Sequence, residues 1–184
     1  HPANAFVGNV IRLELLSRTE LVLNFYRPRH AAPTRLGFKV YRGSAPVPLS
    51  DSLPMLEHMG VRVLAERPYE ITPDGAEPMW IHDFELEAPA GDELDIEVLA
   101  PLFEDAFARV FDGRVENDDF NRLVLRAGLA ADEIVVLRAY AKYLRQIGFP
   151  LSQPYIEATL SAHPRIAGML ARLYRLRFHP AERD

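Results

Sequence analysis

Near Gly91 the spacing of apolar residues changes, and that change limits what the chain can fold into. Before it, Leu36, Phe38 and Val40 alternate with Gly37, Lys39 and Tyr41. Likewise Trp80, His82, Phe84 and Leu86 alternate with Ile81, Asp83 and Glu85. A period of two belongs to a strand with one buried face. After it, Val98, Leu102, Phe103, Ala106, Phe107, Val110 and Phe111 recur at spacings of three and four, which is one face of a helix. A sheet therefore comes first, and helices follow.

The local signals fill in the order. Glu20 to Tyr26 is rich in strand formers, and Arg27 to Thr34, with two prolines, reads as its connection to the strand at 35–42. Val47 to Gly60 reads as strand exit, short helix and glycine stop, with Ser50 or Asp51 as the expected cap. A strand at 61–71 follows, in which Pro68 marks a bulge or an edge. Thr72 to Ala76 is a turn, because Pro fixes φ and Asp-Gly accepts positive φ. The strand at 78–87 completes a long hairpin. Pro101 sits where a helix can begin, and Gly113 ends it.

Beyond that point every segment reads as helical. Asn117 or Asp118 caps a short helix that Gly128 stops, Ala131 or Asp132 opens one to Ile147, Ser152 opens another, and Pro164 starts the last. In the 131–147 helix, Ile134, Leu137, Ala141 and Leu144 form one stripe and Val136, Tyr140, Tyr143 and Ile147 a second, so burial over a wide arc is expected. Residues 1–18 form a lead-in, 19–112 an α+β domain in the order β-β-α-β-β-α, and 113–184 a helical module. If 20–26 serves as the last strand of a ferredoxin-like sandwich, supplied from the N-terminal end, the fold is a circular permutation of that sandwich. The expected strand order is then 20–26, 35–42, 78–87, 61–71, with both helices on one face.

Composition excludes several classes of function. Cysteine is absent, so disulfides and thiolate metal sites are ruled out and a reducing, cytoplasmic setting is the simplest reading. A net charge of −5 is poor for general nucleic-acid binding, which depends on neutralising phosphates. No apolar run reaches the roughly 18 residues needed to span a bilayer. The start, His1-Pro-Ala-Asn-Ala-Phe-Val, lacks the basic n-region and apolar core of a signal peptide. The missing initiator Met points to a piece of a longer protein, with a trimmed full-length chain as the plainer alternative.

Candidate chemistry is sparse. No glycine pattern suited to nucleotide phosphates occurs, nor H-E-x-x-H or G-x-S-x-G. Of the six histidines, His82 beside Asp83 and Trp80 is the most suggestive. Adjacent strand residues face opposite sides, however, so His82 and Asp83 do not readily share one ion, and a partly buried structural histidine is the simpler reading. His58, late in a short helix, complements exposed carbonyls. His163-Pro164 is a helix–helix junction. Nine acids and no Lys or Arg lie between Asp83 and Asp105, while the last helix carries Arg165, Arg172, Arg175 and Arg177. Two solvated faces are the plain reading, and contact between them the sharper one. By fold-level analogy, the loop from Gly43 to Asp51 can hold a small ligand near a helix N-terminus, which makes Gly43, Ser44, Ser50 and Asp51 the candidate effector-loop residues.

Several ordered motifs carry a family likeness. Residues 48–70, Trp80-Ile-His-Asp-Phe84, Phe103-Glu-Asp-Ala-Phe107, 116–129 and 137–146 resemble the large bacterial NAD-specific glutamate dehydrogenases. The likeness runs from about residue 19 to 178. It implies a fragment, the third ACT-type domain plus the start of a helical region, ahead of a catalytic domain that lies elsewhere. The parent enzyme would oxidise L-glutamate to 2-oxoglutarate and ammonia, passing hydride to NAD. No catalytic or cofactor-binding residue carries across, because Lys39 and Lys142, the two lysines, lie in no glycine-rich setting. The implied partners are other domains and subunits of the same enzyme, with no nucleic acid or membrane. Three roles follow: a non-catalytic regulatory and assembly module, an amino-acid-sensing ACT-type module, or an independent enzyme using His82 or His58.

Overall fold

The computed structural model describes residues 20–72, 75, 77–88 and 94–178. The lead-in 1–18, His1, His179, Gly91, the acids Asp92 and Glu93, and Pro73, Asp74 and Ala76 of the expected turn lie outside the described residues.

Four strands, β1 (Leu21–Tyr26), β2 (Arg35–Gly43), β3 (Arg62–Ile71) and β4 (Met79–Glu87), form one antiparallel sheet in the order β1-β2-β4-β3. Register sets the faces. Phe25 pairs with Phe38, Phe38 with Phe84, and Leu36 with Leu86, so one face carries a run of large apolar side chains. Helix α1 (Leu49–His58) crosses from β2 to β3, and α2 (Ile96–Phe111) follows β4. Met55 and Leu56 of α1, Met59 just beyond it, and Phe103, Ala106, Phe107 and Val110 of α2 are buried in the core with that face. Phe103 stacks on Phe25 at 4.0 Å between ring centroids and meets Phe38 edge-on at 5.3 Å, while Phe107 meets Phe38 at 4.8 Å. The edge-to-face contacts add to simple area burial because ring edges are positive and faces negative.

The edges of the sheet are finished differently. On β1 the Phe25 N–H donates to Glu104 Oε1 of α2 at 2.7 Å, so a carboxylate closes part of that edge. On β3 the register shifts between Val63 and Ala65, not at Pro68, which pairs with His82 on the edge strand. An edge position tolerates proline because one row of its N–H groups has no ladder partner.

The helices continue through a 3-10 turn (Asp119–Arg122), α3 (Leu123–Ala127), α4 (Ala131–Gln146), α5 (Gln153–Ala162) and α6 (Pro164–Phe178). Phe120, Leu123, Val124, Ile134, Leu137, Ala167 and Ala171 belong to the same buried cluster as the sheet residues, so one interior runs through both parts. Gly128 ends α3 at φ 63°, where a Cβ would be strained.

Several local expectations need correction. Helix α1 begins at Leu49 after Pro48, and no side chain caps it, so Ser50 and Asp51 lie within the first turn. There Asp51 still complements the positive end of the helix. Helix α2 begins before Pro101, capped by Asp95, whose carboxylate accepts from Glu97 N at 3.2 Å and Val98 N at 3.4 Å. That earlier start turns Val98 outward, 58 % exposed, and buries Leu99 in its place. The second stripe of α4 is not buried: Tyr140, Tyr143 and Ile147 are exposed. The acid run is served by its own neighbours. Asp83, Glu85 and Glu87 pair with Lys39, Arg35 and Arg62, and Asp105 pairs with Arg109, while Arg175 of α6 pairs with Glu133.

Phe103 touches both β1 and β2 with no exposed surface, and truncation there leaves a cavity the sheet cannot fill. Phe103→Ala is expected to cost about 3–5 kcal/mol in urea unfolding. Val98→Ala, on the solvent side of the same helix, is expected to change stability by less than about 0.5 kcal/mol.

Candidate functional site

The β2–α1 loop is the place a small ligand was expected. Gly43 closes β2, and a Cβ built there meets nothing within 4 Å, so no close approach demands glycine. Ser44 takes φ 66° and donates its amide to Pro78 O at 3.0 Å. The Ala45 amide donates to Gly43 O at 2.8 Å, and the Val47 amide to His82 Nε2 at 2.9 Å. Ser50 Oγ donates to Asp51 Oδ1 at 3.1 Å on the exposed start of α1. The four candidate residues thus lie along one loop and helix start. The amides of Ser44, Ala45 and Val47 are used within the protein.

His82 explains the loop's shape. It is buried on the core face of β4, opposite Asp83. A backbone N–H can only donate, so Nε2 accepts from Val47 and the ring proton sits on Nδ1, 2.8 Å from Glu66 Oε1 of β3. The ring therefore ties the loop to the edge strand, with its orientation set by the carboxylate. The geometry gives it two structural partners and no open side for a reacting group. His58 is also engaged, its Nδ1 lying 3.0 Å from Asn117 Oδ1.

The opposite face of the sheet carries a shallow depression of about 260 Å³ with a mixed polar and apolar lining that includes Tyr26, Arg35, Gly37, Arg67, Asp83 and Glu85. Tyr26 lies across Gly37, where a Cβ would come within 2.4 Å of its ring. Its hydroxyl donates to Asp83 Oδ1 at 3.3 Å, and Lys39 Nζ sits 3.5 Å from Asp83 Oδ2. Burial, and then the Asp83 charge, push the Tyr26 hydroxyl well above the usual range, which keeps it a donor. Among the described residues no group of three or more His, Asp or Glu side chains could hold a metal ion.

A cluster that the sequence did not announce sits among the helices. Arg138 of α4 is buried, and its guanidinium grips Asp118 with Nε and Nη2 each at 2.7 Å. The same Nη2 reaches Asn121 Oδ1 at 2.9 Å, and the guanidinium lies 5.6 Å from the Phe120 ring centroid. Gln153 of α5 donates to Asp118 at 3.4 Å and to Glu157 Oε1 at 2.8 Å. Burial raises the Glu157 carboxyl above its ordinary value, with the Gln153 hydrogen bond opposing. Lys142 pairs with Glu116 beside this cluster. Asp118 could be seen as a cap, and it is one, accepting from Phe120 N at 3.2 Å. Its partner was less visible, although Arg138 falls four residues after Ile134, on the buried side of α4, where a charge needs an internal partner.

Comparison with known proteins gives the context. Residues 20–99 match the family described as glutamate dehydrogenase, ACT3 domain, and residues 115–180 match glutamate dehydrogenase, helical motif 3. A protein of Halomonas elongata named NAD-specific glutamate dehydrogenase is 45 % identical over 170 residues, covering 92 % of this chain and 10 % of that protein. Proteins of the same name from Pseudomonas aeruginosa and Mycobacterium tuberculosis are 42 % and 41 % identical over 93 % and 97 % of this chain, and 11 % of each relative. The chain thus spans about a tenth of the length of these curated relatives. The β2–α1 loop does not fit the dinucleotide their name implies. A pyrophosphate needs free amides at a glycine turn that lets the backbone approach closely. Here three loop amides are taken by Pro78, Gly43 and His82.

The helical cluster generates two expectations. Arg138→Met leaves the largely buried Asp118 carboxylate without its cation and is expected to cost about 3–5 kcal/mol, with the double variant Arg138→Met/Asp118→Leu recovering part of that loss in a double-mutant cycle. Glu157 binds its proton more tightly folded than unfolded. The stability linked to it is therefore present in acid and lost as pH rises through the raised folded value. Glu157→Gln is expected to raise the thermal midpoint at pH 7, and the gain should shrink as pH falls below the group's ordinary value of 4.5.

Proposed function

Because the chain belongs to the glutamate dehydrogenase family through its ACT3 domain and helical motif 3, we propose that it is a non-catalytic segment that serves the regulation and assembly of an NAD-dependent glutamate dehydrogenase. The parent reaction in this reading is oxidative deamination of L-glutamate to 2-oxoglutarate and ammonia, with NAD bound outside this segment. The observation that carries it is the internal use of the β2–α1 loop. The amides of Ser44, Ala45 and Val47 and the ring of His82 are engaged in holding the loop to the sheet, which supports a structural use of the loop.

The finer architecture belongs to the same proposal. Residues 19–112 form the ACT-type unit, a ferredoxin-like sandwich permuted so that β1 supplies the final strand, and 113–184 form the helical unit, with 1–18 as lead-in. The strand order β1-β2-β4-β3 supports that reading. So does α1, which crosses between β2 and β3, two strands that each run antiparallel to β4. The partners are other domains and subunits of the same enzyme, in the cytoplasm. No helix among the described residues is long and apolar enough to cross a membrane.

The test uses the 184-residue chain. Incubated with L-glutamate and NAD it should produce no NADH, and turnover proportional to protein would overturn the segment reading. Titration with free amino acids should leave the thermal midpoint unmoved. A saturable rise that follows RT ln(1 + [L]/Kd) would instead establish the amino-acid-sensing role, with Gly43, Ser44, Ser50 and Asp51 as its first mapped residues.

A further inference from the structure

Exposed apolar surface is distributed unevenly along this chain. Among the described residues, Leu49, Tyr69 and Val98 are the large hydrophobics exposed in the sheet half, while the remainder, from Val135 to Phe178, lie on the helices α4 to α6 and their connections. Scattered exposed apolar residues need no explanation, but a contiguous patch does.

The pattern on α6 shows why the patch is contiguous. Ala167 and Ala171 are buried against the rest of the module. Ile166, Met169, Leu170, Leu173 and Leu176 recur at three- and four-residue spacings and are exposed, Met169 by 70 %. Arg165, Arg172 and Arg175 occupy the remaining side. The helix is thus apolar over much more than half its circumference, and its packing covers only part of that arc. Tyr140 of α4 meets Tyr174 edge-on at 6.3 Å. Between the two helices runs an open groove of about 560 Å³, lined by Val136, Tyr140, Leu144, Leu170, Leu173 and Phe178, with Arg177 the charged residue on its wall.

We propose that this groove is a docking site for an acidic amphipathic helix from the same, longer polypeptide, which lays its i, i+3/i+4, i+7 apolar face along Tyr140, Leu170 and Leu173. The inference rests on the reading of the chain as a segment of a longer enzyme. Two observations select the occupant. About nine-tenths of each relative lies outside the matched region, so a tethered partner is present at high effective concentration. Charge selects its sign: with Arg138 and Lys142 set against Asp118 and Glu116, the five remaining Arg of residues 131–178 stand against Asp132, Glu133 and Glu157, although the chain as a whole is net −5. A second copy of the module would bring two positive surfaces together, whereas an acidic helix complements both the groove and its rim.

The four methionines make the test direct. Met55 and Met59 are buried, Met79 is partly buried, and Met169 stands out on α6, one helical turn before the groove-lining Leu173. Dilute peroxide oxidises exposed methionine to sulfoxide, which mass spectrometry of peptides reads site by site. The full-length enzyme and the 184-residue chain are oxidised in parallel, with Met55 and Met59 as buried controls. Met169 is expected to react about tenfold more slowly in the full-length enzyme, independently of protein concentration, because the opening that exposes it becomes unfavourable. Leu173→Glu in the full-length enzyme should restore fast oxidation while leaving the thermal midpoint of the 184-residue chain unchanged. Equal Met169 rates in the two proteins would overturn the proposal. So would protection of the 184-residue chain that grows with its concentration, since the occupant would then be a second copy. Glutamate- and NAD-dependent activity of the full-length enzyme is measured separately. Activity without Met169 protection sinks the groove alone, and protection without activity sinks the enzyme reading alone.

Discussion

Phe103 and Phe107 bring the sheet into the interior that the helices share. Both lie on α2, both touch Phe38 of β2, and Phe103 also stacks on Phe25 of β1. The same helix meets α3 through the core that contains Leu99 and Leu125. Helix α2 is therefore a wall with a room on each side. A chain of this length forms one core of ordinary size more readily than two small ones, because burial efficiency rises with size. That explains why a boundary between sheet and helices can be drawn along the sequence while no gap divides the buried residues.

The helices beyond that wall depend on a polar contact as well as on packing. The Asp118–Arg138 pair joins the 3-10 turn to α4, and Gln153 extends the contact to α5. Two of the sequence motifs that mark the family, 116–129 and 137–146, meet at this pair. A buried ion pair contributes little net stability, since desolvation offsets most of the attraction. Its effect is on geometry: a bidentate guanidinium accepts a carboxylate in one orientation and so fixes how the two motifs cross.

The candidate site shows the same division. In ACT-type and ferredoxin-like sandwiches the loop after the first core strand is the natural ligand turn, and here that loop is occupied by its own protein. His82 takes the Val47 amide and Pro78 takes that of Ser44. Among the described residues, most of the exposed large apolar side chains lie on α4 to α6 and their connections.

The sequence alone determined the elements, because each is set by local physics. Alternation in 36–41 and 80–86 gave the strands and their faces, since a period of two admits no other regular arrangement. Pro164 and Gly128 placed a helix start and a helix end. Local signals were weaker at helix starts. Pro48 precedes a helix that no side chain caps, and Asp95 caps α2 well before Pro101, which lies inside it. Tertiary structure alone decided which apolar stripes find a neighbour. Tyr140 and Tyr143 have the spacing of a buried face and stand in solvent, while the charged Arg138 is buried beside them. Periodicity records what a helix could bury. Whether it does so depends on what the rest of the chain brings to that face, and on α4 it brought Asp118 to one side and only the partial cover of Tyr174 to the other.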